Sequence, residues 1–301
     1  MIDYLDEDIA YLLGLIVARG EIIEGRVMTS ILITFPFRNL EVEGLTKSYK
    51  NPVELSLTLD KIVNRIRRLD VDVRKETQEK ACQLVIESRR RSLFMRVLRM
   101  FLKGKSYLEF HIPKQIFDTD ESIKKEFMRG YADLAGYARL SNAYLDGKHR
   151  IYLDVLNGNW HLPVELCTLL QDHLGVPVQT IDWGHPNIRN GNLREYSAGR
   201  RRAWAREHQI KIFAEDFVPI GFYMKHKQEI LRELATYNKK NHPSVPKFCS
   251  PPKRIDSKRP HHPGENDELL PDQLRGKHFD AYWQVCEAMG CPRCKKQAKL
   301  G

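Results

Sequence analysis

The chain has 301 residues, with 42% hydrophobic residues, 49 Lys and Arg against 39 Asp and Glu, and a formal net charge of +10. That apolar content excludes a disordered chain, and the absence of any long apolar run excludes an expected membrane span. Six cysteines exclude a disulfide framework, and the basic excess suits either a polyanionic partner, nucleic acid first, or simply a basic solvated surface.

The N-terminus, Met1-Ile-Asp-Tyr-Leu-Asp-Glu-Asp, is acidic and lacks the basic start of a secretion signal, so an intracellular, reducing setting is expected. Hydrophobic periodicity then predicts a helix near 7–19, strands near 26–37 and a helix near 53–69. Strands near 70–78 and 82–88 and a helix near 90–102 complete a first cycle. A second cycle opens at Asp118-Thr-Asp-Glu-Ser, which reads as a helix cap with acids placed for the helix dipole. A helix through Ile123–Ala135 follows, then strands near 138–145 and 150–156 and a helix near 161–174. Val176–Trp183 and Gln209–Phe217 read as strands and Lys225–Ala235 as a helix. Paired strands between helices favour an α+β arrangement, an antiparallel sheet with helices on one face, over a Rossmann-type alternation. Its other face would be free and would carry much of the charge.

From Thr236 onward the composition changes. Asn241-His-Pro-Ser-Val-Pro and the run from Ser250 to Gly264 are proline-rich and basic, which reads as an extended arm. This tail holds 13 basic and 7 acidic residues, a net of +6. The expected organisation is therefore 1–110, 111–235 and a basic extension over 236–301.

Two segments nearly repeat each other 116 residues apart, the distance from Gly14 to Gly130. They are Tyr11-Leu-Leu-Gly-Leu-Ile-Val-Ala-Arg-Gly20 and Phe127-Met-Arg-Gly-Tyr-Ala-Asp-Leu-Ala-Gly136. Each is a short apolar helix with a glycine early and a glycine at its end, and an internal repeat of this kind decides architecture. Gly14 with Ala18, and Gly130 with Ala132, offer small surfaces that let two helix backbones approach. The pair resembles the motif of LAGLIDADG homing endonucleases. Phe110-His-Ile-Pro-Lys-Gln-Ile116 resembles that family's lead-in to its second motif. Glu207–Phe213, Ile220–Phe222 and Lys225–Leu231 resemble its ending. The resemblance covers roughly residues 7–235. It implies a monomeric single-chain pseudo-dimer, two αββαββα repeats whose sheets form a saddle over double-stranded DNA, with Mg²⁺ as cofactor when the DNA is cleaved.

In that family the metal-binding acid immediately precedes the closing glycine. Here Arg19 precedes Gly20 and Ala135 precedes Gly136. Neither ligates Mg²⁺, which takes oxygen ligands, and hydrolysis by metal-activated water needs such carboxylates. Arg19 suits a phosphate instead. Glu21 and Asp133 are the candidate relocated catalytic acids; the alternative is an exposed acid after the helix and a polar cap. Glu24 and Asp146 are further candidates. The WhiA regulators likewise bind DNA on this fold with the acids gone, although no helix-turn-helix tail is evident here. The expected function is sequence-specific binding of double-stranded DNA. The alternatives are an active metal-dependent endonuclease of homing or restriction type and an intron RNA maturase-like binder.

Basic clusters fall where a saddle would meet phosphates. Candidate DNA-binding residues are Arg19, Arg74, Lys75, Arg89, Arg189, Arg200, Arg201, Arg202 and Arg206, alongside Arg65–Arg68. Asn187–Asn192 could reach base edges or form a solvated loop. In the tail, Cys286, Cys291 and Cys294 could hold zinc, which takes four ligands. Cys249 is the preferred fourth over His261, His262 and His278; the alternative is a tail with free thiols. Cys82 and Cys167 read as core.

Overall fold

A computed structural model of the chain describes residues 4–140, 148–156, 161–183 and 207–242, and the backbone of 278–279. Helix α1 (Glu7–Arg19) starts on Asp6, whose carboxylate accepts the Ile9 N–H at 2.8 Å, the usual way of satisfying an orphan donor at a helix start. It passes without a loop into β1 (Gly20–Glu24), followed by β2 (Met28–Pro36), α2 (Phe37–Leu40) and a small hairpin, β3 (Val42–Glu43) and β4 (Ser48–Tyr49). Then come α3 (Pro52–Thr58), α4 (Asp60–Arg67), β5 (Asp72–Thr77), β6 (Ala81–Arg89) and α5 (Leu93–Phe101). The second half runs α6 (Lys114–Phe117), α7 (Glu121–Ala135), β7 (Gly136–Arg139), β8 (Arg150–Leu156) and α8 (His161–Thr168). β9 (Thr180–Trp183), β10 (Glu207–Phe213), α9 (Ala214–Phe217) and α10 (Lys225–Asn241) follow, and β11 (His278–Phe279) is the last described piece.

Every strand pair is antiparallel, as paired strands between helices predict. The first sheet has the order β1-β2-β6-β5; the second has β7-β8-β10-β9, with β11 added beyond β9. Within each half the order is thus first, second, fourth, third. The register repeats too: Gly20 faces Ile33 in one sheet, and Gly136 faces Leu153 in the other. One continuous apolar cluster joins both halves, from Ile9 and Leu12 through Ile33 and Leu84 to Leu153, Ile210 and Leu231.

Several elements depart from the sequence expectation. Glu21 lies inside a strand that the expected elements omit, because the helix leads into it with no turn residue between. Residues 214–217 form a helical turn instead of the end of a strand. Only Thr180–Trp183 of the expected 176–183 strand pairs. After α8 the chain continues as a π-helical turn, Leu169–His173, within the expected helix. The last helix runs to Asn241 instead of stopping near 235. The cause is Asn238, which is fully buried and bonds both the His149 N–H and the His149 carbonyl at 2.8 Å. The stretch read as the start of an arm is therefore partly core.

The hairpin β3–β4 ties the halves together at a second place. Gly44 sits where a Cβ would meet Glu233 and Ile230 of α10. The Glu233 carboxylate accepts the Leu45 and Thr46 N–H groups at 3.1 and 2.9 Å, and the Tyr49 hydroxyl donates to Glu229 at 2.7 Å.

Candidate nucleic-acid interface

The centre of the molecule is the contact of α1 with α7. A Cβ on Gly14 would lie 2.1 Å from the Phe127 carbonyl oxygen, and a Cβ on Gly130 would lie 2.1 Å from the Tyr11 carbonyl oxygen. Phe127 precedes Gly130 by three residues, as Tyr11 precedes Gly14. The contact is therefore reciprocal, the relation that a two-fold axis produces. Only glycine lets the backbones come this close. The two glycines carry the crossing, while Ala18 and Ala132 are buried beside it.

Arg65 of α4 fixes the near end of the pair. Its guanidinium donates to Asp8 at 2.7 Å, lies 2.8 Å from a Glu126 oxygen and covers the Tyr11 ring at 4.1 Å. It thus links the first turn of α1 to the first half of α7, and the helices lie side by side with their starts together. At the far end both leave through an extended glycine in nearly the same conformation, φ −92° and ψ 149° at Gly20 and φ −95° and ψ 148° at Gly136. Each glycine begins the first strand of its sheet.

At this far end Arg19 is 8% exposed and Ala135 is 1% exposed. A buried polar network lies next to them. The Tyr131 hydroxyl donates to the Asp154 carbonyl at 3.1 Å, and Gln209 donates to the Asp154 carboxylate at 3.0 Å and to the Tyr137 hydroxyl at 2.8 Å. Burial pushes the Tyr131 hydroxyl well up; the Asp154 charge adds to that, and the Arg19 charge opposes it. The Arg19 charge is thus felt within this network. The first sheet has a neutral counterpart: Gln83 faces Thr34 and donates to its hydroxyl at 3.2 Å, as Gln209 faces Asp154.

The two candidate acids occupy unlike places. Asp133 is completely buried and accepts the Tyr11 hydroxyl at 2.7 Å and the Tyr223 and Met224 N–H groups at 3.2 Å. Burial pushes its carboxyl up, against the Tyr11 hydrogen bond, the Lys227 charge and the two backbone donors. It is the internal cap that joins α1, α7 and the entry to α10. Glu21 is exposed and faces Leu32 on the sheet surface away from the helices. Among the described residues no three His, Cys, Asp or Glu side chains are gathered as a metal ion needs. Arg19 and Ala135 bring no side-chain oxygen to the positions before the two closing glycines.

Strand alternation sorts the candidate DNA contacts. On the first sheet's open face lie Glu21, Asp72, Glu76 and Glu87 against Arg74 and Arg89, four acids to two bases. The face carries charge, as expected of a free sheet surface, but more of it is negative. Arg74 is bridged to Glu87 at 3.1 Å, and Arg89 is exposed at the strand end. Lys75 points to the other side, where its ammonium donates to the Ser56 carbonyl at 3.2 Å and pairs with Asp60. Arg189, Arg200, Arg201, Arg202 and Arg206 lie outside the described residues, as do the candidate zinc ligands Cys249, Cys286, Cys291 and Cys294. The described cysteines, Cys82 and Cys167, are buried, as core residues.

The features that sequence reading missed share one property: they depend on which residues face each other across a sheet. Asp154 and Gln209 are 55 residues apart, and nothing local marks either.

No described helix is long and apolar enough to cross a membrane. The sequence matches no protein-family profile and no curated protein. Similar solved structures include I-DmoI in complex with DNA and Mn, at 15% identity over 74% of this chain and 96% of that one, with a TM-score of 0.39. I-DmoI with DNA and Ca is 18% identical over 77% of this chain and 97% of that one, at 0.38. A double mutant of I-SmaMI is 11% identical over 79% and 93%, at 0.36. These are LAGLIDADG homing endonucleases. The mixed helix and sheet architecture, with its antiparallel sheets, resembles theirs.

Proposed function

We propose that the chain is a double-stranded DNA-binding protein built as a LAGLIDADG-type single-chain pseudo-dimer, with repeats over about 1–110 and 111–235. We propose too that the usual metal-dependent cleavage is withheld from it. One observation carries the reading: a reciprocal glycine crossing, Gly14 on Phe127 and Gly130 on Tyr11, that delivers two sheets of the same internal order. The basic excess of the whole chain supports a polyanionic partner. The replacement of both family acids by Arg19 and Ala135, and the full use of Asp133 as an internal cap, support binding without hydrolysis.

The test is a binding titration of the full chain on random-sequence duplexes at several salt concentrations. The expected result is binding whose affinity falls steeply with salt. No salt-sensitive binding to duplex DNA at any sequence overturns the reading, and preferential binding of structured RNA replaces it with a maturase-like one. Incubation with DNA and Mg²⁺ or Mn²⁺ tests the second half of the proposal. Discrete fragments that disappear in Glu21→Gln would make the protein an endonuclease.

A further inference from the structure

The seven basic residues between 88 and 108 are Arg89, Arg90, Arg91, Arg96, Arg99, Lys103 and Lys105, and that stretch contains no acid. All seven are exposed. They are brought to one side of the first half by three local facts. The Arg90 N–H donates to the Val27 carbonyl at 2.9 Å, which holds the arginine run against the β1–β2 turn beside Arg26. Ser92 then caps α5, accepting the Met95 N–H at 3.2 Å. After α5 the chain returns along the edge of β1, where the Ile22 N–H donates to the Lys105 carbonyl at 2.7 Å and Ser106 bridges Glu21. The basic stretch therefore rims the first sheet from its outer turn back to its centre.

Little in the described structure neutralises this rim. Glu24 pairs with Arg99 at 3.0 Å and lies 3.9 Å from Arg90. Arg91, Arg96, Lys103 and Lys105 make no ion pair among the described residues. The sheet face it borders has an acidic excess, so the rim is where the first half concentrates its positive potential.

We infer that this rim, formed by Arg90, Arg91, Arg96, Arg99, Lys103 and Lys105, is a phosphate-holding surface for duplex DNA, separate from the sheet face. This rests on the reading of the chain as a DNA binder and adds where the backbone is held. The chemistry fits: arginine and lysine that face solvent release counterions when they meet phosphates and carry no sequence information. An anionic membrane is the poorer match. An interfacial helix presents a broad apolar face outward, whereas α5 spends Met95, Val97 and Leu98 on the core and leaves only Leu93 and Met100 exposed.

The experiment uses the full chain with R91A, R96A, K103A and K105A combined, and K239A with K240A, exposed on α10, as a charge control. Binding to a random duplex is followed from low to moderate salt. The rim variant should bind at least about tenfold more weakly, with the slope of log affinity against log salt reduced by about 3 to 4, near 0.9 per lost phosphate contact. The control should fall by at most about half that slope. Wild-type binding with an unchanged slope in the rim variant overturns this inference and leaves the DNA-binding reading standing. A wild-type chain that ignores duplex DNA, or that prefers anionic vesicles or RNA through these residues, overturns both. Circular dichroism of each variant, expected to match wild type, ensures that a loss reports contact and not unfolding.

Discussion

The two sheets share a strand order but treat their outer faces differently. On the first, the residues that point away from the helices, such as Glu21, Asp72, Arg74 and Glu76, are exposed. On the second, the corresponding face is buried: Tyr137 is 1% exposed, Tyr152 3%, Asp154 4%, and Arg150 and Gln209 7%. The ring of Tyr152 stacks on Tyr137 at 5.3 Å and lies under Arg139 at 4.9 Å. Identical topology therefore does not give two equal binding surfaces. One face is open and acidic with a basic rim, and the other is a packed polar interior whose strand β8 is buried on both sides.

The helix pair is where the halves are most nearly equal, so it gives the most symmetric effect. Gly14→Ala and Gly130→Ala each push a methyl group onto a backbone oxygen 2.1 Å away, and nothing but separation of the helices relieves it. Each should cost about 3 kcal/mol or more, comparable with severe overpacking, as read by urea denaturation. Similar losses are expected for both, and tolerance of one alone would break the symmetry argued for the crossing.

Arg65 comes next; it lies on α4, between the second and third strands of the first sheet in chain order. Arg65→Ala strips the guanidinium shared by Asp8, Glu126 and Tyr11. Removing one partner of such a buried group costs about 3–5 kcal/mol. Arg65→Met, which keeps the packing over Tyr11 but not the charge, should cost nearly as much. A near-neutral Met variant would show that stacking, not charge, holds the helix starts.

Acid should act on the second half, because residues 1–110 contain no histidine. Burial lowers His208 to about 3 and His226 to about 4. The unfolded chain then binds more protons between those values and about 6.5, so the stability is complete above pH 6.5 and is lost as pH falls. The slope is up to about 1.4 kcal/mol per pH unit for each histidine. Asp133, whose carboxyl burial raises, works in the opposite sense, so the histidine effect is best read as a difference. His226→Gln keeps a donor for the Leu40 carbonyl, which His226 meets at 2.9 Å, and removes the titration. Its stability should fall less than wild type between pH 6.5 and 5; parallel curves would reject His226 as the acid-sensitive group.

Much of this frame was legible in the sequence because its signals are local. The 7–19 helix and the helix through Ile123–Ala135 follow from apolar periodicity and the repeated glycines. The helix ends follow from the closing glycines, Gly20 and Gly136. What was not legible depends on distant partners. Asp133 reads as a relocated catalytic acid or as a polar cap until Tyr11, Tyr223 and Met224 are seen around it. Lys75 reads as a DNA contact until strand alternation turns it toward Asp60. The acidic excess of the first sheet emerges only when four strands are laid in register.

That excess gives the smallest expected effect and the finest test of the comparison. Glu21 and Glu76 are exposed on the open face, with no ion pair to either among the described residues, so Glu21→Gln with Glu76→Gln should leave stability within about 0.5 kcal/mol of wild type. If a duplex lies over this face, removing two like charges should tighten binding a few-fold and steepen its salt dependence. If the rim alone holds the DNA at a distance from the face, the affinity should change little, because charges separated by more than about 10 Å are screened at 0.1 M salt. The same double change on a chain already lacking the rim lysines and arginines separates the two surfaces: additive effects mean that both meet the duplex, and silence in that background means that the face never does.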